Sequence, residues 1–133
     1  MNMNKVGSQL NVANNLALIN KKIEASLEGA NRQKHDVNLI AVSKVQPVEK
    51  IEAALVEGHR IFGENRIQEA AFKWPALKIK YPDAKLHLIG PLQTNKVKDA
   101  IMLFDVIETL DRLKLAEEIK KQSVKKGSDI TCY

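Results

Sequence analysis

The feature that most constrains the fold of this chain is a regular alternation of predicted strands and helices. Short apolar runs typical of buried strands begin near residues 37, 61, 86, 106 and 130, and a segment with helical periodicity follows each of the first four. Strands separated in this way by helices form a parallel sheet. The sequence therefore predicts an α/β fold built from β/α units of about 20 to 25 residues.

A long amphipathic helix is predicted before the first strand. Apolar residues recur every three or four positions from Val12 to Ala30, with Asn, Lys and Glu between them. A chain of 133 residues with 44% apolar content is long enough for one ordinary core and too short for two typical domains. We therefore expect residues 1–133 to form a single domain, with a leading helix at 1–34 and β/α units at 35–133.

Residues that start or stop helices mark the ends of the later elements. The strands are predicted at 37–42, 61–62, 86–89 and 106–107, with a fifth beginning at Ile130. Pro47 and Gly58 are expected to bound the helix after the first strand, and Pro75 to end the next one. The N-caps of the last two helices are predicted at Thr94 and Asp111, and Gly127 is expected to end the last helix.

Composition and charge argue against several classes of protein. Cys132 is the only cysteine and the three histidines are scattered, so neither an intrachain disulfide nor a zinc site is expected. No apolar run approaches the roughly 20 residues of a membrane helix, and no secretion signal is recognisable, so we expect a cytoplasmic protein without a membrane partner. The net charge is +5, but the lysines are spread along helices, so nucleic acid is not the expected partner.

Lys44 is the leading candidate for chemistry. It closes the apolar run that begins at Val37, and the carboxyl ends of parallel strands are where α/β proteins place reactive groups. The strand is expected to desolvate the ammonium partly, which would favour the neutral amine as a nucleophile toward carbonyl groups. A plain solvated surface lysine is the alternative. Ser43 should point to the other side of the strand, where packing or a local hydrogen bond is expected more than contact with a ligand.

Two further blocks contain polar candidates after predicted strands. Residues 62–69 read FGENRIQE, and residues 87–96 read HLIGPLQTNK. Asn65 can cap the next helix in a capping box with Gln68, or it can line a pocket. Glu64 is expected to act as a charge at the same helix terminus. His87 should share a strand face with Ile89, either as a core histidine or as a pocket residue.

These two blocks and the Ala-Val-Ser-Lys run at 41–44 together resemble the pyridoxal phosphate homeostasis proteins. The resemblance covers nearly the whole chain and implies a (β/α)8 TIM-type barrel, with an extra N-terminal helix, related to the N-terminal domain of bacterial alanine racemase. An eight-stranded barrel takes about 250 residues. The chain is therefore expected to hold about the first half, from β1-α1 to β4-α4 and the start of β5, and to be truncated.

The resemblance also implies the cofactor and its contacts. Pyridoxal 5'-phosphate (PLP) would form a Schiff base with Lys44, and Asn65 and His87 would line the cofactor site. The phosphate site and an arginine facing the pyridine nitrogen would come from the second half. No catalytic residue is predicted, and Gln46 stands where many relatives carry a second lysine.

The implied function is vitamin B6 homeostasis, in which the protein buffers PLP or delivers it to PLP-dependent apo-enzymes without clear turnover. A PLP-dependent amino-acid racemase is the first alternative. A basic interaction module without a cofactor is the second.

Overall fold

The computed structural model describes residues 3–133, with the side chains of residues 6–133, as an α/β fold. The helices of this part are α1 Met3–Gly29, α2 Val48–Val56, α3 Ile67–Lys80, α4 Val97–Leu103 and α5 Leu113–Lys126. Short 3-10 helices lie at Lys34–Asp36 and Thr94–Lys96. The strands are β1 Ala41–Val42, β2 Ile61–Glu64, β3 Lys85–Leu88, β4 Val106–Ile107 and β5 Thr131–Cys132.

The strands form one parallel sheet in the order β1-β2-β3-β4-β5, so each strand pairs with its neighbour in sequence. The pairing register aligns five residues in one row across the sheet, namely Val42, Gly63, His87, Val106 and Thr131. This sequential parallel order confirms the predicted α/β class.

The chain divides into two compact units. Among the described residues, the first comprises residues 3–39 and 46–59, and within it α1 contacts α2. Leu27 is the one buried side chain among those described in α1, while Leu10 and Leu18 are 57% and 54% exposed. The predicted helix is therefore present and ends at Gly29, but most of its apolar residues are not buried in this unit.

The second unit comprises residues 40–45 and 60–133 and contains the sheet with α3, α4 and α5. One face of the sheet carries the fully buried side chains of Phe62, Leu86, Leu88 and Ile107. The ring of Phe62 packs against Trp74 of α3, with 5.0 Å between the ring centroids. Burying a large apolar side chain stabilises a fold by about 1.5–3 kcal/mol, so this face holds the main core of the unit.

Helix α3 corrects the prediction that Pro75 ends it. The helix continues to Lys80, with Pro75 in its interior. A proline removes the hydrogen bond to the carbonyl four residues earlier, here that of Ala71. Pro75 and Ala71 are both exposed, so water can hydrate that carbonyl. Ala70 and Trp74, in contrast, are fully buried.

Several element ends also differ from the predictions. Strand β1 covers only the last two residues of the predicted 37–42 segment, and Val37 is 39% exposed. The N-cap of α5 is Arg112 instead of Asp111, and Thr94 lies inside a 3-10 helix without a side-chain cap. The glycine predictions are confirmed: Gly58 and Gly127 have φ of 89° and 77°, the left-handed region that glycine enters without strain.

Candidate functional site

Lys44 lies two residues after β1, at the carboxyl end of the sheet, and its side chain is exposed. The expected partial desolvation is therefore wrong. The physical reason is that β1 is the edge strand of the described sheet, where it pairs with β2 on one side. Within the part of the chain that the structure describes, the Lys44 amine makes no hydrogen bond or ion pair with another residue. A lysine without a carboxylate partner is open to reaction with a ligand.

Lys44 and Asn65 are brought to the same edge of the sheet. Val42 pairs with Gly63, and Ser43 continues this ladder by donating its N–H to the Gly63 carbonyl at 2.9 Å. Lys44 lies two positions after Val42, and Asn65 lies two positions after its partner Gly63. Residues two apart along a strand point to the same face of the sheet. Asn65 is half-buried at the bend after β2.

His87 lies on the face of β3 opposite the buried leucines. Leu86 and Leu88 are fully buried, whereas the His87 side chain keeps 15% exposure. Its Nδ1 atom lies 2.6 Å from Oε1 of Glu108, just beyond β4. The sequence analysis missed Glu108, although it stands two residues after Val106, which the register places beside His87.

The sheet face that carries His87, opposite the buried leucines, is called the open face. Two glycines shape this open face and its edge at the carboxyl ends of the strands. A Cβ atom on Gly63 would lie 3.0 Å from the Ile40 side chain and 3.1 Å from that of Ile89, so the absence of a side chain lets these isoleucines approach across β2. A Cβ atom on Gly90 would overlap the carbonyl oxygen of Asn65. The turn after β3 therefore lies directly against the backbone of Asn65.

The opposite face of the same strands carries a buried polar cluster. Ser43 is buried on this side of the strand, as alternation predicts, and donates its hydroxyl to Oε1 of Glu64 on the neighbouring strand at 2.8 Å. The same oxygen accepts the indole N–H of Trp74 at 3.2 Å and lies 2.6 Å from Nζ of Lys73. Glu64 is fully buried as the last residue of β2, and its carboxylate is bound by these side chains, so its predicted role as a charge at the terminus of the next helix is wrong.

Lys73 and Glu69 connect this cluster to the backbone on both sides of Lys44. Nζ of Lys73, a buried group, donates to the Ser43 carbonyl at 2.8 Å and to Oε1 of Glu69 at 2.9 Å. Glu69 Oε1 also accepts the backbone N–H of Val45 at 2.5 Å. The hydrogen bond from Lys73 is the largest cause that lowers the pKa of Glu69 below its usual value. Sequence reasoning missed Lys73, although its i, i+4 spacing from Glu69 was a usable signal.

Asn65 does not cap α3. The N-cap is Arg66, and no side chain makes a cap hydrogen bond there. The predicted capping box of Asn65 and Gln68 is therefore wrong, because β2 extends to Glu64 and moves the first helical residue to Ile67. The Asn65 side chain is left available for another role.

Residues 3–133 contain neither a cluster of metal-ligating side chains nor a helix suited to span a membrane. No three His, Cys, Asp or Glu side chains in this range are grouped as metal ligands would be. None of the helices described here has the length and apolar character needed to cross a membrane.

The chain is similar in amino-acid sequence to several curated proteins. No protein-family profile matches the chain. The pyridoxal phosphate homeostasis protein of Haemophilus influenzae is 39% identical over 113 residues, which is 85% of this chain and 48% of the relative. That of Escherichia coli K12 is 37% identical over 112 residues, again 48% of the relative. The chain is related to the pyridoxal phosphate homeostasis family. It spans about half the length of the curated relatives that it matches.

Solved structures agree with this relation. PipY from Synechococcus elongatus, solved with PLP bound, is 36% identical and superposes with a TM-score of 0.76, covering 91% of this chain and 52% of PipY. A protein of unknown function from Bifidobacterium adolescentis is 29% identical, with a TM-score of 0.88 over 95% of this chain and 55% of its own. The resemblance drawn from the three sequence motifs is therefore confirmed.

Proposed function

We propose that this chain is part of a PLP-binding protein of vitamin B6 homeostasis, in which Lys44 holds the cofactor as a reversible Schiff base. One observation carries the proposal. Lys44 stands exposed at the carboxyl end of a parallel sheet, without a polar partner in the described chain. This is the edge of an α/β sheet where ligands bind. The relation to PipY, solved with PLP bound, supports the same cofactor for this chain.

The residues present fit the aldehyde end of PLP. A Schiff base needs an accessible primary amine, which Lys44 supplies. Gly63, which pairs with Val42 two residues before Lys44, presents no side chain on the open face. Asn65 and His87 are the two further side chains that we propose to line the site, from the edge and from the open face respectively. We assign the phosphate and pyridine-nitrogen contacts to the part of the relatives that this chain does not span.

The proposed reaction of Lys44 is the reversible condensation of a primary amine with an aldehyde. The ammonium gives up a proton to solvent, and the free amine adds to the aldehyde carbon of PLP. Loss of one water leaves a carbon–nitrogen double bond, and adding that water back restores both reactants. A second amine can replace Lys44 at the same carbon, so the protein can buffer the aldehyde or deliver it to PLP-dependent apo-enzymes, its proposed partners.

We propose that the sheet is about half of a (β/α)8 barrel within a single cytoplasmic domain. Its sequential parallel order is the order that a barrel requires. Its open face carries the apolar side chains of Ile40, Val42 and Ile89, all partly exposed in the described chain. The remaining strands of a barrel would cover such a face.

Absorbance of the purified protein tests the cofactor proposal. Wild-type chain mixed with PLP and passed through a desalting column should stay yellow in proportion to the protein. Lys44→Arg keeps the positive charge but has no primary amine, so it should emerge colourless. Lys98→Arg, on the exposed surface of α4, is the matched control and should behave as wild type. Equal colour in the two arginine variants would refute the assignment of Lys44.

A further inference from the structure

We propose that Glu69 is a positioning residue for Lys44, an inference that rests on the proposed Schiff-base function. Glu69 lies on α3, one turn before Lys73. It acts on the turn that carries Lys44 by holding the next peptide in place.

The turn is fixed on both sides of Lys44. On the amino side, Lys73 Nζ donates to the carbonyl of Ser43 at 2.8 Å. On the carboxyl side, the N–H of Val45 donates to Oε1 of Glu69 at 2.5 Å. The backbone of Lys44 is therefore held between two side chains of one helix, and hydrogen bonds with a charged partner are among the stronger ones in proteins.

The backbone at Val45 needs such a restraint. Val45 has φ of 53°, a left-handed conformation that is an outlier for a β-branched residue. Its side chain is 80% exposed, so packing contributes little to holding it there. Strained conformations persist only where the surroundings impose them, and they concentrate at functional sites. The hydrogen bond to Glu69 is the contact that holds Val45 in its left-handed conformation.

The restraint is anchored in the core. Lys73 is 6% exposed and lies 2.6 Å from Glu64, which is itself fully buried on β2. Nζ of Lys73 also lies 2.9 Å from Oε1 of Glu69. The Glu69 carboxylate is therefore held in place relative to the sheet. The sheet edge and the turn that presents Lys44 are thereby tied to the same lysine.

Three variants separate positioning from general stability. Glu69→Met removes the acceptor but keeps the side-chain length and helix propensity. Glu69→Gln keeps an oxygen that can accept from Val45. Glu117→Met makes the same change at an exposed position of α5 that has no polar partner in the described chain. Glu69→Ala replaces Glu69→Met if the latter does not fold.

Two measurements are made on each variant. The first is the rate at which PLP, trapped with borohydride, labels Lys44 as read by peptide mass mapping. The second is hydrogen exchange of the Val45 amide by NMR, which needs no cofactor. Loss of a hydrogen bond to a charged group should slow Lys44 labelling and speed Val45 exchange by about tenfold each in Glu69→Met. Glu69→Gln should recover most of both effects, and Glu117→Met should show neither.

The outcomes distinguish the two proposals. Equal labelling and exchange in wild type, Glu69→Met and Glu69→Gln would overturn the positioning role. So would a loss in Glu69→Gln as large as that in Glu69→Met, since that would point to charge or fold stability. If Lys44 of the wild-type chain is not labelled at all, the proposed Schiff-base function is overturned. The hydrogen-exchange measurement still tests the restraint on the turn, and equal Val45 exchange in wild type and Glu69→Met would overturn that restraint as well.

Discussion

Replacing Lys73 with methionine should destabilise the fold far more than a lysine substitution on the surface does. The Lys73 ammonium lies 2.6 Å from Glu64 and 2.9 Å from Glu69, and its side chain is 6% exposed. Methionine fills a similar volume, so little cavity is created. What is lost is the positive partner of Glu64, a fully buried carboxylate whose Oε2 already has no hydrogen-bond partner within the described part of the chain.

The size of the effect follows from that geometry. Without Lys73, Glu64 keeps two neutral donors among the described residues, the Ser43 hydroxyl at 2.8 Å and the Trp74 indole at 3.2 Å. Removing one partner of a buried ion pair costs about 3–5 kcal/mol, because the other charge stays buried without compensation. Since small domains are stable by only about 5–15 kcal/mol, Lys73→Met should unfold at much lower urea concentration.

Urea unfolding followed by fluorescence measures this directly, because Trp74 is the only tryptophan and is fully buried beside the cluster. Lys98→Met is the control and should change the free energy of unfolding by no more than about 0.5 kcal/mol. The double variant Glu64→Gln with Lys73→Met removes the buried charge as well, and should be more stable than Lys73→Met by about 2 kcal/mol. A loss below about 1 kcal/mol in Lys73→Met would refute the reasoning.

Two further predictions concern the same edge of the sheet. Gly90→Ala places a Cβ atom against the carbonyl oxygen of Asn65, so it should lower the free energy of unfolding by urea by about 1–3 kcal/mol. Gly29→Ala is the control and should not destabilise the fold, because its added Cβ meets no atom within 4 Å. Equal effects of the two substitutions would contradict the close approach of Gly90 to Asn65. The pKa of Glu69 lies below its usual 4.5 chiefly because Lys73 hydrogen-bonds its carboxylate. Its stabilising contribution is therefore complete above about pH 4.5 and is lost as the pH falls through the folded pKa. Unfolding free energies should consequently fall less steeply below that pH in Glu69→Gln than in wild type, and parallel curves would contradict the linkage.

The fold class was predictable because strand and helix alternation is a property of local sequence. Apolar runs set the strand positions, and the two left-handed glycines Gly58 and Gly127 marked helix ends correctly. Pro75 misled because the rule against interior proline weighs only a local cost, about 3 kcal/mol from the ring clash and the lost hydrogen bond. Here Trp74 and Leu77 are buried on either side of Pro75, and burying two large apolar side chains, at about 1.5–3 kcal/mol each, offsets that cost.

The site was predictable only in part. Lys44 and His87 could be placed by strand position and alternation, since both depend on local geometry. Glu64 and Lys73 could not, because a charged residue in sequence is read as solvated unless its partner across the fold is known. Their pairing joins a strand end to the second turn of the next helix, and it becomes visible only when the two side chains are seen 2.6 Å apart.

The most direct test of the central claim is borohydride reduction of the chain mixed with PLP, followed by peptide mapping of every lysine. A protein that holds PLP on a single reactive amine should carry the pyridoxyl group on Lys44, with the exposed lysines of α4 and α5 labelled at no more than background. Labelling spread evenly over surface lysines, or Lys44 left unmodified while others react, would contradict the account.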